Sequence, residues 1–281
     1  MGNILTVNNL CKNYEAFSLK NVSFSLDKGY IMGFIGRNGA GKTTTLKTMF
    51  NLVHHDSGTV EMFGKDFFEN ELFCKQHSSF MLGGANYFVS KKLKTIKSVV
   101  KKFYDEWDDE AYKSYISLFK LDENKKVSEL SEGMKVKFGL ALAMSHNAKF
   151  LVLDEPTSGL DPVSRDELLE IFQKLIADGE RSILFSTHII SDLEKCADYI
   201  TYIKEGEILA STEKDAFIDG YRVVQGKNDQ LNDEMKKKLI GIKNNAFGWN
   251  ALIKKEDLSL VKGLEIALPD LETIMVHIEK E

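Results

Sequence analysis

The sequence predicts an α/β protein with a mainly parallel sheet at its core. Two almost continuous apolar runs, YIMGFI and FLVLD, are typical of strands covered on both faces, as parallel strands are, and RSILFSTH predicts a third buried strand. Strands that alternate with helical segments along the chain indicate βαβ units. The 281 residues, 43% of them hydrophobic, suffice for one large domain with a small appendage.

The elements follow one another in a consistent order. ILTVNNL and LKNVSFSL alternate apolar and polar residues, which predicts an N-terminal antiparallel part. YIMGFI, a glycine-rich loop and a helix come next, and residues about 90–148 are predicted to form a helical subdomain. A helix follows FLVLD, with Asp161 suited to its N-cap and Pro162 to its first turn. DYITYIKEGEIL predicts a hairpin that turns near Glu205 and Gly206.

The character of the chain changes beyond about Asp219. The predicted first domain covers residues 1–218, and a C-terminal accessory domain covers residues 219–281. The segments YRVVQG, NDEMKKKLIGI, GWNALIKK and PDLETIMVHIEK predict a small α+β appendage. They contain no pattern that indicates chemistry.

The composition argues against several classes of function. A formal net charge of −5 argues against a nucleic-acid partner held by bulk attraction. The three cysteines are far apart and form no CxxC pair, so neither a disulfide framework nor a zinc site is supported. The chain starts without a secretory signal pattern, and no stretch approaches 18 uncharged apolar residues. We therefore expect a cytoplasmic protein with no membrane span of its own.

The segment GRNGAGKTT carries the first chemical signal. Gly36, Gly41, Lys42 and Thr43 match the phosphate-loop pattern G-x-x-x-x-G-K-[ST]. Glycines allow backbone N–H groups to converge on phosphate oxygens, and the following helix points its positive end at the same anion. Lys42 is expected to reach the β and γ phosphates, and the Thr43 hydroxyl to bind Mg²⁺. The alternative, a glycine turn without a ligand, is disfavoured by the buried strand before the loop and the helix after it.

The segment FLVLDE supplies the second signal. Asp154 ends a hydrophobic strand, where it can hold Mg²⁺, and Glu155 stands where a carboxylate can take a proton from an attacking water. Such a base favours a hydrolase over a kinase. The base-reading N-K-x-D of small GTPases is absent, so the sequence favours ATP over GTP.

Three further segments narrow the class of protein. LSEGMK at 130–135, SGLD at 158–161 and His188, which follows SILFST, occur in this order around LVLDEP. Together with the phosphate loop they resemble the ATP-binding subunit of ABC transporters, over about residues 1–215. The resemblance implies an ABC-type P-loop ATPase fold. It also implies a head-to-tail dimer, of identical or paralogous subunits, that encloses two Mg·ATP.

The resemblance also implies roles for individual residues. Residues assigned to ATP binding are Tyr14, Gly36, Asn38, Gly39, Ala40, Gly41, Lys42, Thr43 and Thr44. Residues of the signature, which faces the ATP of the other subunit, are Leu130, Ser131, Glu132, Gly133 and Met134. Residues of the loop that communicates across the dimer, here called the dimer loop, are Ser158, Gly159, Leu160 and Asp161. The expected catalytic residues are Lys42, Glu155 and His188, and the expected Mg²⁺ ligands are Thr43 and Asp154.

Some of these assignments leave alternatives or depart from the family. Tyr14 would stack on adenine, although it could equally cover the N-terminal strand pair. The usual signature is LSGGQ, so Glu132 and Met134 are departures, and we expect Glu132 to point away from phosphate. The coupling loop normally carries a glutamine ligand to Mg²⁺ and touches the membrane partner. It is expected to begin with Gly83 and Gly84 and to end at Phe88, with Gly83 at the position of the glutamine.

These features predict the ATPase subunit of a transporter whose multi-span membrane subunit is a separate chain, placing it on the inner face of the cell membrane. LSEGMK and PDLETIMVHIEK resemble the bacterial branch that exports drugs or peptides. One alternative is a soluble ABC ATPase of translation or DNA repair, although no second ATPase domain or long coiled coil is present. Another is a non-hydrolysing regulatory module, which the complete set of catalytic residues disfavours.

Overall fold

The chain folds into two compact units in a computed structural model that describes residues 2–82, 88–246 and 248–280. The units are Met1–Ser211 and Thr212–Glu281. The sequence placed the division later, at 218/219, between the last two residues of the short helix Lys214–Asp219. That helix falls in the second unit, because its buried Phe217 packs edge-on against Tyr221 with ring centroids 5.4 Å apart.

The first unit contains most of the strands and helices. Its strands are β1 (Asn3–Asn13), β2 (Ser18–Asp27), β3 (Ile31–Ile35), β4 (Ser57–Met62), β5 (Lys65–Asp66), β6 (Ser78–Met81), β7 (Phe150–Asp154), β8 (Ser182–Thr187), β9 (Tyr199–Lys204) and β10 (Glu207–Glu213), of which the last two residues are assigned to the second unit. Its helices are α1 (Lys42–Met49), α2 (Glu71–His77), α3 (Leu93–Val100), α4 (Asp109–Leu118), α5 (Glu132–Ser145), α6 (Pro162–Ile176) and α7 (Ile190–Cys196). Short 3₁₀ turns occupy Lys101–Phe103 and Val127–Glu129.

A six-stranded sheet forms the centre of the first unit. Its strand order is β10-β9-β3-β8-β7-β6, and the pairs from β9 through β6 are parallel. Every residue of β3, β7 and β8 is buried, as predicted for these three strands. Because β3 and β7 both pair in parallel with β8, the carboxyl ends of these three strands meet at one edge of the sheet. Ligands bind at this edge in folds of this kind.

A second sheet, β2-β1-β4-β5, confirms the predicted antiparallel N-terminal part. It shares a hydrophobic core with the central sheet. Phe24 of β2 stacks on Phe34 of β3 with ring centroids 5.4 Å apart, so the two sheets bury their facing side chains against each other.

Local signals fix the ends of the helices that matter for the site. Asp161 caps α6 by accepting bonds from the backbone N–H of Val163 and Ser164, as predicted. Ser131 caps α5 by accepting a bond from Met134 N at 3.3 Å. The predicted hairpin between β9 and β10 is confirmed, and both of its turn residues, Glu205 and Gly206, have positive φ.

The second unit is a small α+β fold, as predicted. It contains α8 (Lys214–Asp219), β11 (Tyr221–Gly226), α9 (Asp233–Lys236), β12 (Ile240–Asn245), β13 (Gly248–Lys254), β14 (Glu265–Ala267) and α10 (Leu271–Ile278). The sheet order is β12-β13-β11-β14, and its pairs are antiparallel. Trp249, 1% exposed, lies in the core of this unit. Over the described ranges of both units, none of the helices has the length and apolarity needed to span a bilayer.

Candidate functional site

The glycine loop connects β3 to α1 and depends on close backbone approach. A Cβ on Gly36 would lie 2.4 Å from the backbone oxygen of Ile203 in β9, so only glycine fits there. Gly39 and Gly41 have φ of +85° and +115°, in the left-handed region that favours glycine. Gly41 is also the N-cap of α1, so the loop ends at the positive end of that helix.

Lys42 lies inside this loop. Its side chain is 6% exposed, and its ammonium donates to the backbone oxygens of Gly36 at 2.7 Å and Arg37 at 3.3 Å. A buried ammonium needs such partners, because an unpaired charge is costly away from water. The loop therefore holds a fixed positive charge next to the start of α1, an arrangement suited to a phosphate group.

Thr43 brings the loop to the acidic end of β7. Its hydroxyl donates to the Asp154 carboxylate, with distances of 2.8 Å to Oδ2 and 3.0 Å to Oδ1. Asp154 is 6% exposed. The structure thus joins two residues that are 111 positions apart in the sequence.

This pair suits a magnesium ion that is completed by phosphate oxygens. No cluster of three or more His, Cys, Asp or Glu residues with metal-binding geometry occurs in the described residues. Mg²⁺ is usually held by one or two protein oxygens together with substrate phosphates and water rather than by an all-protein cage. A hydroxyl and a carboxylate beside a phosphate loop fit that pattern.

Glu155 follows Asp154 in an unusual conformation. Its φ is +49°, which is uncommon for a residue with a side chain. One carboxylate oxygen lies 3.2 Å from Lys42 Nζ, and the other lies 2.8 Å from His188 Nδ1. Because an ionised carboxylate can only accept, Nδ1 of His188 carries the proton in this contact. Strain at a residue between two such partners is typical of functional sites.

Ser186 is a site residue that the sequence reasoning missed. Its hydroxyl donates to Asp154 Oδ1 at 2.6 Å and accepts from the backbone N–H of Glu155 at 2.9 Å. It therefore orients both acidic residues from the neighbouring strand β8. The available signal was a serine directly after the apolar residues 183–185 of a strand predicted to be buried, where a 0% exposed hydroxyl needs a hydrogen-bond partner.

The signature and the dimer loop lie together. A Cβ on Gly133 would meet the Leu160 side chain at 3.5 Å. Glu132 is exposed and pairs with Lys135 at 2.6 Å, so its charge is compensated along α5. Ser131 accepts hydrogen bonds from the backbone N–H groups of Met134 and Lys135, within the start of its own helix.

The other assigned residues fall in distinct places. Tyr14 is 46% exposed in a turn where its N–H donates to Phe17 O at 2.8 Å. The Phe17 ring lies against Gly41, since a Cβ there would meet its Cζ at 2.8 Å, so the turn stands beside the phosphate loop. The remaining loop residues divide into exposed Asn38, half-buried Thr44 and buried Ala40. Gly83 and Gly84 lie outside the described residues.

Comparisons with known proteins point to one family. The profile of the ABC transporter family matches residues 19–158. A bacitracin transport ATP-binding protein of Bacillus licheniformis is 32% identical over 212 residues, or 74% of this chain and 69% of the relative. A Nod factor export ATP-binding protein of Burkholderia lata is 34% identical over 207 residues, or 72% of this chain and 67% of the relative. A solved ATP-binding subunit of an ABC transporter superposes with a TM-score of 0.68 at 25% identity, covering 76% of this chain and 91% of that one.

Replacing Ser186 by alanine should destabilise the first unit. The Ser186→Ala change removes a bond to Asp154 and one of the acceptors of the Glu155 N–H, and we expect the free energy of unfolding to fall by about 1–3 kcal/mol. Urea unfolding followed by circular dichroism measures this change. Ser114→Ala, at an exposed serine on α4, is the matched control and should change stability by less than about 0.5 kcal/mol. Equal effects of the two changes would contradict the role given to Ser186.

Proposed function

The chain belongs to the ATP-binding family of ABC transporters, and we propose that it hydrolyses ATP to drive export through a separate membrane subunit. One observation carries the proposal. Two sets of contacts, Thr43 with Asp154 and Lys42 with Glu155 and His188, lie at three neighbouring strand ends. Ser186 joins the two sets, because its hydroxyl bonds both Asp154 and the N–H of Glu155. These are the groups that binding and hydrolysing a nucleoside triphosphate require.

ATP binding would rearrange the contacts of Lys42. Its ammonium lies 3.2 Å from the Glu155 carboxylate, which offers it a single negative charge. The β and γ phosphates carry more negative charge than one carboxylate, and they would also lie at the start of α1. Lys42 would therefore turn to the phosphates, and Glu155 would become free to accept a proton.

Hydrolysis would then use Glu155 as the general base. Glu155 accepts a proton from water while the water oxygen attacks the γ phosphorus, and the bond to the ADP oxygen breaks. Lys42 stabilises the charge that spreads over the transferred group. His188, held by Glu155 at 2.8 Å, would contact the γ phosphate and keep the base oriented.

Thr43 and Asp154 would hold Mg²⁺ through the hydroxyl and the carboxylate. When bound, the ion supplies positive charge to the phosphate oxygens. Ser186 supports this role, because its 2.6 Å bond keeps the Asp154 carboxylate directed at Thr43. Tyr14, exposed in the turn beside the loop, would provide a stacking surface for adenine.

A second subunit would complete the site. Ser131 is the N-cap of α5, and Gly133 lies in the first turn of that helix. The N-terminus of a helix can neutralise the charge of a phosphate group that is bound to another chain. The packing of Gly133 on Leu160 supports the idea that signature and dimer loop act as one surface. We therefore propose a head-to-tail dimer, with the Ser131 end of one chain over the ATP held by Lys42 of the other.

The transport role rests on the relatives. A Nod factor export ATP-binding protein and a bacitracin transport ATP-binding protein both exceed 30% identity. These names favour export over a role in translation, DNA repair or regulation. The work of moving cargo then falls to a membrane subunit, and this chain would sit against it on the cytoplasmic side of the membrane.

An exposed apolar segment is the proposed contact with that membrane subunit. Phe88 and Phe103 are each 70% exposed, and Val89 and Val99 are 42% and 49% exposed. Phe88 ends the predicted coupling loop, and the others lie after it within residues 88–103. Large exposed apolar side chains that lie close together in the sequence support a binding role for this segment.

Glu155→Gln should separate ATP binding from hydrolysis. Glutamine keeps the size of the side chain but cannot act as a base, so turnover should fall by about 10²–10⁴. Binding of Mg·ATP should persist, because Lys42 and Thr43 are unchanged. Steady-state phosphate release and titration with labelled ATP measure the two quantities on the full chain.

The matched control is Glu205→Gln, at an exposed glutamate that also has positive φ, and its turnover should equal that of the wild type. Wild-type protein without ATPase activity would refute the proposal. So would a Glu155→Gln variant that retains full turnover.

Phe88→Asp should weaken attachment to the membrane subunit. A charge on the proposed apolar face would have to be desolvated on docking, so less membrane subunit should co-purify with a tagged ATPase chain. Leu118→Asp, at a leucine 67% exposed on α4, is the control with a similar change of charge. Recovery of equal amounts of membrane subunit with both variants would contradict the proposed docking face.

A further inference from the structure

Asp192 is a buried acid that the chemistry described so far does not use. It lies in the first turn of α7, four residues after His188, and it is 0% exposed. Within the described part of the chain, neither of its carboxylate oxygens has a hydrogen-bond partner. Burial raises the pKa of this carboxyl, and the nearby Thr157 hydroxyl and Arg165 guanidinium act in the opposite direction. A buried acid that is incompletely paired carries a cost that calls for an explanation.

Arg165 connects Asp192 to the dimer loop. Its Nε lies 3.8 Å from Asp192 Oδ1, and its Nη2 donates to the backbone oxygen of Leu160 at 3.3 Å. The Leu160 side chain in turn lies against Gly133, in the first turn of α5. One guanidinium therefore contacts both the buried acid and the loop that is proposed to face the second subunit.

Thr157 connects the same acid to the hydrolytic side. It is 0% exposed, stands two residues after Glu155, and its hydroxyl also lacks a partner with hydrogen-bond geometry in the described chain. The chain makes a tight turn at this point, in which Ser158 N donates to Glu155 O at 3.2 Å. Asp192 thus lies next to the loop that leaves Glu155, on the helix that comes after His188.

We propose that Asp192 and Arg165 are positioning residues that hold the dimer loop in register with Glu155 and His188 of the same chain. The proposal rests on the proposed ATP-driven dimer and adds to it a link between two surfaces. When a partner subunit contacts Leu160 and the signature, this pair would transmit the contact and change the positions of Glu155 and His188.

The incomplete contacts give the link a physical basis. A separation of 3.8 Å between Nε and Oδ1 is an ion pair without a hydrogen bond, and a contraction of somewhat less than an ångström would form one. The Thr157 hydroxyl can gain a bond in the same movement. A network left partly unmade can therefore favour a second, tighter arrangement when the dimer loop is engaged.

The first experiment compares two Asp→Asn changes, each at an aspartate whose ion pair joins α6 to α7. Asp192→Asn removes the buried charge, whereas Asp166→Asn removes an exposed ion pair between Asp166 of α6 and Lys195 of α7. On the full chain we expect Asp192→Asn to lower kcat for ATP on the order of tenfold, because misplaced catalytic groups lose rate steeply. KM for ATP should stay within about twofold, since the phosphate loop is not altered. Asp166→Asn should match the wild type in both constants.

A second variant guards against a simple loss of folding. Arg165→Lys keeps the positive charge but loses the guanidinium fork that reaches both Asp192 and Leu160. Its kcat should fall to a similar extent, and the double variant should be no worse than the poorer single one, as expected for residues that act through each other. Thermal unfolding of each variant is measured alongside.

Each outcome decides between the two proposals. Wild-type kcat in folded Asp192→Asn or Arg165→Lys overturns the positioning role and leaves the proposed ATPase function intact. Failure of both variants to fold assigns the pair to the stability of the unit and also overturns the role. A wild-type chain that does not hydrolyse ATP refutes the proposed function itself, whatever the variants do.

Discussion

The hydrogen bond from the Thr43 hydroxyl to the Asp154 carboxylate is the contact on which the site depends. It joins the first turn of α1 to the end of β7, at 2.8 Å. The bond is possible because β3 and β7 both pair in parallel with β8, so their carboxyl ends share one edge. Phosphate loop, acidic residues and histidine meet there as a consequence of strand order.

Glu155 depends on that edge in a second way. Its left-handed backbone turns the chain sharply after β7, and its carboxylate lies between an ammonium and an imidazole. Its N–H is bonded to Ser186 of the adjacent strand, so the unusual conformation is supported by neighbours on both sides. Strain of this kind persists only where the surroundings determine it, and here they also set the position of the proposed base.

Much of the fold and part of the site could be read from the sequence because their signals are local. The buried strands, the glycine loop, the cap at Asp161 and the turn at Glu205 each depend on a few neighbouring residues. Ser186 and the pair Asp192–Arg165 could not be found this way. Their roles come from contacts between elements, and an isolated serine or aspartate has many structural uses. The division between the units shifted for a similar reason, since Phe217 of α8 packs against a tyrosine of β11.

The central claim is that ATP is held between the Lys42 of one chain and the Ser131 of another. The most direct test is the structure of the Glu155→Gln protein determined with Mg·ATP. The account predicts two chains related head to tail, with Lys42 of one and the Ser131 end of α5 of the other both contacting the same γ phosphate. A single chain that binds Mg·ATP at Lys42, with Ser131 distant from any nucleotide, would contradict it.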